Sequence, residues 1–102
     1  MAIKHSVADL VEEPEPRRLA GPEAYEQGWV LVNADQARLA RGGPLLSTVD
    51  VVDGTAHVVE LRSTEEGLTW ACDCPAGAAG AFCAHCVAAA VVTWRSAPKR
   101  RR

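Results

Sequence analysis

Four cysteines and a histidine fall inside fifteen residues, Cys72 to Cys86, and the rest of the chain contains no cysteine. The run reads Cys72-Asp73-Cys74-Pro75, a spacer rich in glycine and alanine, then Cys83-Ala84-His85-Cys86. Thiolate and imidazole are the soft donors that Zn²⁺ takes at tetrahedral angles. Two close pairs of them on a short loop are what such an ion requires. A Cys-x-Cys pair can place both sulfurs on one ion if the backbone bends between them, and Pro75 helps by stopping continuation of a strand ladder. Gly77 and Gly80 let the loop return. The second pair can be Cys83 with His85, or Cys83 with Cys86 at the spacing of a knuckle. Either choice gives four protein donors and no open coordination position, which suits a structural ion, one Zn²⁺ per chain, rather than a catalytic one.

The elements around this cluster must bring its two halves together. Leu68 to Cys72 reads as a strand that delivers Cys72 and Cys74 at its end, after a turn at Thr64-Glu65-Glu66-Gly67. Val49-Asp50-Val51-Val52 and Ala56 to Leu61 flank Asp53-Gly54, the preferred pair for a tight hairpin. A two-residue turn there sets Val51 opposite Ala56, Val49 opposite Val58 and Asp50 opposite His57. His57 is thereby expected to pair with Asp50 and not to bind metal. Val87, Val91 and Trp94 recur at one-face helical spacing, and Pro98 ends that helix. Upstream, Gly21-Pro22-Glu23 opens a short helix that Gly28 closes. Val30 to Val32 is expected to be extended. Residues 34–41 are expected to form a helix, opened by the box-like Asn33-Ala34-Asp35-Gln36, with a hairpin turning at 34–36 as the competing arrangement.

The combined expectation is a small α+β domain. A short antiparallel sheet of three strands feeds a metal loop, and a C-terminal helix stands behind it. Residues 1–20 read as a flexible arm, because Glu12-Glu13-Pro14-Glu15-Pro16-Arg17-Arg18 has no periodic apolar face. Residues 21–96 form the single domain, and 97–102 a basic tail.

With these landmarks placed, Cys72-x-Cys74-Pro75 followed by Cys83-x-His85 resembles the SWIM zinc finger, whose pattern is Cys-x-Cys, a variable spacer and Cys-x-His. Cys86 after the histidine is similar to a bacterial subset of that family. The resemblance covers about residues 67–95. It implies Cys72, Cys74, Cys83 and His85 as the metal ligands, with Cys86 turned into the core. It also implies an interaction module that binds nucleic acid or protein. Members often carry Lys or Arg where this chain has Ala84, so a basic contact from the finger itself is missing here.

Composition adds further expectations. The chain has 102 residues and only five aromatic ones, a modest supply of large core side chains that a structural ion would supplement. Formal charge is −2, unevenly spread: all thirteen acids and six of the eleven bases precede residue 74, and the other five bases follow it. Lys99 to Arg102 could touch phosphates or simply lie in solvent. No apolar stretch approaches the roughly 20 residues of a membrane span, and none resembles a secretion signal, so a cytoplasmic protein is expected. In that reducing compartment clustered cysteines favour metal over disulfides. A thiol-based redox or zinc-responsive sensor, with Cys86 as resolving thiol, is the alternative use of the same residues. No catalytic residue set and no small-molecule substrate are indicated.

Overall fold

Alternation of buried and exposed side chains over residues 46–63 makes one face of a sheet apolar and leaves the other to water. The computed structural model describes residues 5–97. Its four antiparallel strands lie in sequence order: β1 Ala37–Gly42, β2 Leu46–Asp53, β3 Thr55–Thr64 and β4 Gly67–Cys72. Helices α1 Val7–Leu10, α2 Glu15–Ala20 and α3 Pro22–Asn33 precede the sheet, and α4 Pro75–Ala78 and α5 Ala84–Ser96 follow it. The α+β architecture, with a C-terminal helix behind an antiparallel sheet, is as expected, although the sheet has one strand more.

The core lies between the sheet and α5. Val49, Val51, Val59 and Leu61 point into it and meet Val87 to Val91. Ala88, Ala89 and Ala90 have no exposed surface, and their small side chains let α5 lie close to its neighbours. Ser47 and Thr93 satisfy each other across this interface, Oγ to Oγ1 at 2.6 Å.

The hairpin register differs from the expected one by a residue. Asp53 pairs with Thr55 around Gly54 (φ +77°), so Val51 faces His57, Asp50 faces Val58 and Val49 faces Val59. This choice buries Val59 and Leu61 together with Val49 and Val51, and leaves Val52 and Val58 about half exposed. His57 is therefore not opposite Asp50, and the expected pair does not form.

Three expectations upstream of the hairpin are corrected. Helix α3 runs straight through Gly28 and includes Val30 to Val32. Gly28 is a point of close approach rather than a stop: a Cβ there would lie 2.4 Å from Val87 Cγ1. Residues 37–42 form a strand, not a helix, and pair forward with β2 across a bulge at Leu39/Arg41. Asp35, in the left-handed region at φ +60°, ends α3 and turns the chain into β1.

The segment expected to be a flexible arm is folded from residue 5 onward. Ser6 and Asp9 form a reciprocal capping box on α1, each accepting the other's backbone N–H at 3.2 Å. Val7 and Val11 belong to the core, and the Val7 N–H donates to the Pro44 carbonyl at 2.7 Å. Tyr25 Oη donates to Glu13 at 2.6 Å, tying this segment to α3. The basic run Lys99 to Arg102 lies outside the described residues. No helix among the described residues is long and apolar enough to cross a membrane.

Candidate metal centre

Strand β4 ends at Cys72, and two residues later Cys74 caps α4 with Pro75 at its first position. The Cys74 sulfur accepts the Gly77 N–H at 3.3 Å, the role Ser or Asp usually fills at a helix N-cap. Gly77 is needed for space: a Cβ would lie 2.5 Å from the Cys72 Cβ and 2.8 Å from its carbonyl oxygen. The loop then passes under Trp70, whose Nε1–H donates to the Gly80 carbonyl at 3.2 Å. Its ring meets Phe82 edge-on with centroids 5.0 Å apart. Cys83 caps α5, and His85 stands in the first turn.

These elements bring Cys72, Cys74, Cys83 and His85 together, one donor atom from each, all within 4.8 Å of one another. Cys74 Sγ lies 3.6 Å from Cys83 Sγ, and His85 Nδ1 lies 3.7 Å from Cys72 Sγ and 3.8 Å from Cys83 Sγ. An ion bonded at about 2.3 Å to sulfur and about 2.0 Å to nitrogen separates its tetrahedral ligands by about 3.5–3.8 Å. These three separations match such an ion, and the four donors suit its coordination number. None of the cysteines is in a disulfide. Cys86 is not one of the converging four, although its Sγ is 3.8 Å from Cys83 Sγ; its side chain has no exposed surface.

Crowded thiols cannot all ionise without a counter-charge. Burial, above all, pushes Cys72 up to about 12. Cys83 is held down at about 4, chiefly by the hydrogen bond it shares with Cys86. Cys86 is pushed up by that same hydrogen bond and by burial. A divalent cation would replace the protons that this packing retains.

Two residues that sequence reasoning placed elsewhere adjoin the cluster. Asp53, read only as a turn residue, sets Oδ2 3.2 Å from His85 Nε2. His57 lies with its ring 4.4 Å from that of His85, centroid to centroid. Its Nδ1 is 2.8 Å from Asp73 Oδ1, and its Nε2 is 3.0 Å from Thr55 Oγ1. The hydrogen bond from His57 holds Asp73 below the usual carboxylate range. The β3–β4 register leads to this contact: Val59 pairs with Cys72, and one step on the Val58 N–H donates to Asp73 Oδ2 at 3.4 Å.

No family model matches the chain, and neither a curated protein nor a solved structure is significantly similar to it.

Proposed function

We propose that this chain is a SWIM-type interaction module built on a structural Zn²⁺. Cys72, Cys74, Cys83 and His85 are its ligands. The observation that carries the reading is the convergence of these four donors, from a strand end and a helix start, to within 4.8 Å of one another. Four protein ligands leave no position for substrate or water, so the ion's work is to fasten β4 and its loop to α5. Cys86 fills core space.

A protein partner is favoured over nucleic acid. The folded body does not gather its positive charge. Arg18, Arg38 and Arg62 each lie within 4.0 Å of a carboxylate, and Arg95 lies over the Trp29 ring. Apolar surface, by contrast, is available at Val30, Leu45, Val52, Val58 and Trp94.

Metal analysis of protein purified under reducing conditions without chelators tests the centre. One ion per chain is expected, lost in Cys74→Ser and His85→Ala and retained in Cys86→Ser. A folded chain without a stoichiometric ion refutes the reading, and retention by His85→Ala moves the fourth ligand to Cys86. Binding to DNA or RNA fragments over a salt series tests the partner class. Tight association that weakens steeply with salt would replace protein by nucleic acid.

A second reading, a peroxide-responsive switch, has one observation in its favour: the 3.8 Å separation of Cys83 and Cys86 sulfurs. The Cys83 thiolate would attack hydrogen peroxide to give a sulfenic acid and hydroxide. The Cys86 thiol would then displace water to form the disulfide, and the ion would leave. Reversible zinc release at low peroxide supports this reading; an inert centre removes it.

A further inference from the structure

We propose that Asp53 is a positioning residue of the metal centre: from the tip of the β2–β3 hairpin it fixes which nitrogen of His85 faces the ion. The inference rests on the zinc reading above and goes beyond it to a residue outside the ligand set. A carboxylate accepts and does not donate, so the 3.2 Å contact between Asp53 Oδ2 and His85 Nε2 places the ring hydrogen on Nε2. In a neutral imidazole the lone pair is then on Nδ1, the atom facing Cys72 and Cys83 sulfurs at 3.7 and 3.8 Å.

A second contact fixes the plane of the ring. His57 lies against His85 with 31° between the rings, and both of its own nitrogens are engaged. With Asp73 accepting from Nδ1, Nε2 is left to accept from the Thr55 hydroxyl. His85 is thus held at its edge by Asp53 and on its face by His57. Both groups come from the hairpin and neither from the helix that carries it. The one-residue register of β2 with β3 accordingly sets the geometry of the centre as well as the core face.

The test is zinc affinity by competition with a chromophoric chelator, together with long-range ¹H–¹⁵N spectra of the zinc-loaded full chain. The wild type should show His85 protonated at Nε2 and bound through Nδ1. Asp53→Ala should weaken zinc by about 10–100-fold, the usual effect of removing an outer-shell partner. Asp53→Asn, whose amide oxygen still accepts, should recover most of that loss. Asp50→Ala, removing an exposed acid from the same hairpin, should change affinity less than about twofold if charge alone is not the cause. Binding by Asp53→Ala equal to the wild type, an equal loss in Asp50→Ala, or a metal-bound Nε2 overturns the inference while leaving the zinc centre intact. A wild-type chain that takes no zinc overturns the centre itself and this role with it. Should Asp53→Ala not fold, Asp53→Asn and the wild-type nitrogen spectrum decide.

Discussion

Gly77 shows how narrowly the metal loop is drawn. Its place is set by the absence of a side chain, because a Cβ would overlap Cys72, one of the four donors, at 2.5 Å. Gly77→Ala must therefore push α4 away from the end of β4 and drag the Cys74 sulfur with it. We expect zinc affinity to fall by at least tenfold and stability by about 1–3 kcal/mol, the usual range for overpacking. Chelator competition and thermal melts of the loaded protein read the two effects. Unchanged affinity would show that the loop accommodates a methyl group by moving elsewhere. The glycine was visible in the sequence as a turn former. Its close approach was not, because that depends on where Cys72 lies.

At the scale of elements, α1 and α2 carry the clearest prediction. Val7 has no exposed surface and is in contact with the core. Val7→Ala should cost about 2 kcal/mol, from lost burial plus the cavity left behind. Urea denaturation of the zinc-loaded chain would measure it, and a change within error would return this segment to the status of an arm.

What was legible in the sequence, and what was not, divides along physical lines. The strands around Gly54, β4 leading into the Cys72–Cys74 pair, and the helix after Cys83 were readable. Alternation, turn chemistry and ligand spacing are local there and agree with one another. Residues 5–20 were misread because their apolar side chains are few, and α1 is too short to display a period. Val30 to Val32 were misread because β-branched residues favour strands, a preference overruled by packing of Leu31 and Gly28 on the buried side of α3. The capping signal at Asn33-Ala34-Asp35-Gln36 marked a helix end and not a start, since a left-handed aspartate and a cap share residue types. Spacing marked the cluster but left its fourth member open between His85 and Cys86; the family resemblance implied His85, the residue that converges with the three cysteines. Asp53 and His57 were not legible, because their approach depends on a hairpin register that short-range patterns leave one residue uncertain.

For the whole molecule, an ion held by the four donors would join the end of β4, the single turn of α4 and the start of α5. Zinc at a hundredfold excess over its dissociation constant should raise stability by about 2.7 kcal/mol. Chelation should lower the melting temperature and accelerate hydrogen exchange first in residues 72–86. Equal melting with and without chelator would deny the ion a structural role. Acid should act in the same direction. Burial keeps the Cys72 proton on to about 12 when no ion is present, so loading expels it at neutral pH. Apparent affinity must then fall as pH is lowered, about tenfold per unit for each proton displaced. Titrations at several pH values measure the slope, and a flat profile would mean that the thiols bind without giving up protons.

The indole of Trp70 is the only ring that both donates to the loop backbone, at Gly80, and rests against the residue just before the second donor pair, Phe82, among the described residues. Trp29 and Trp94 belong to the helices and take no part in that arrangement. The protein consequently carries its own optical probe at the joint between strand and helix. With those two tryptophans replaced by phenylalanine, the colour and intensity of the remaining emission would follow whether the joint is closed, molecule by molecule, with no label attached.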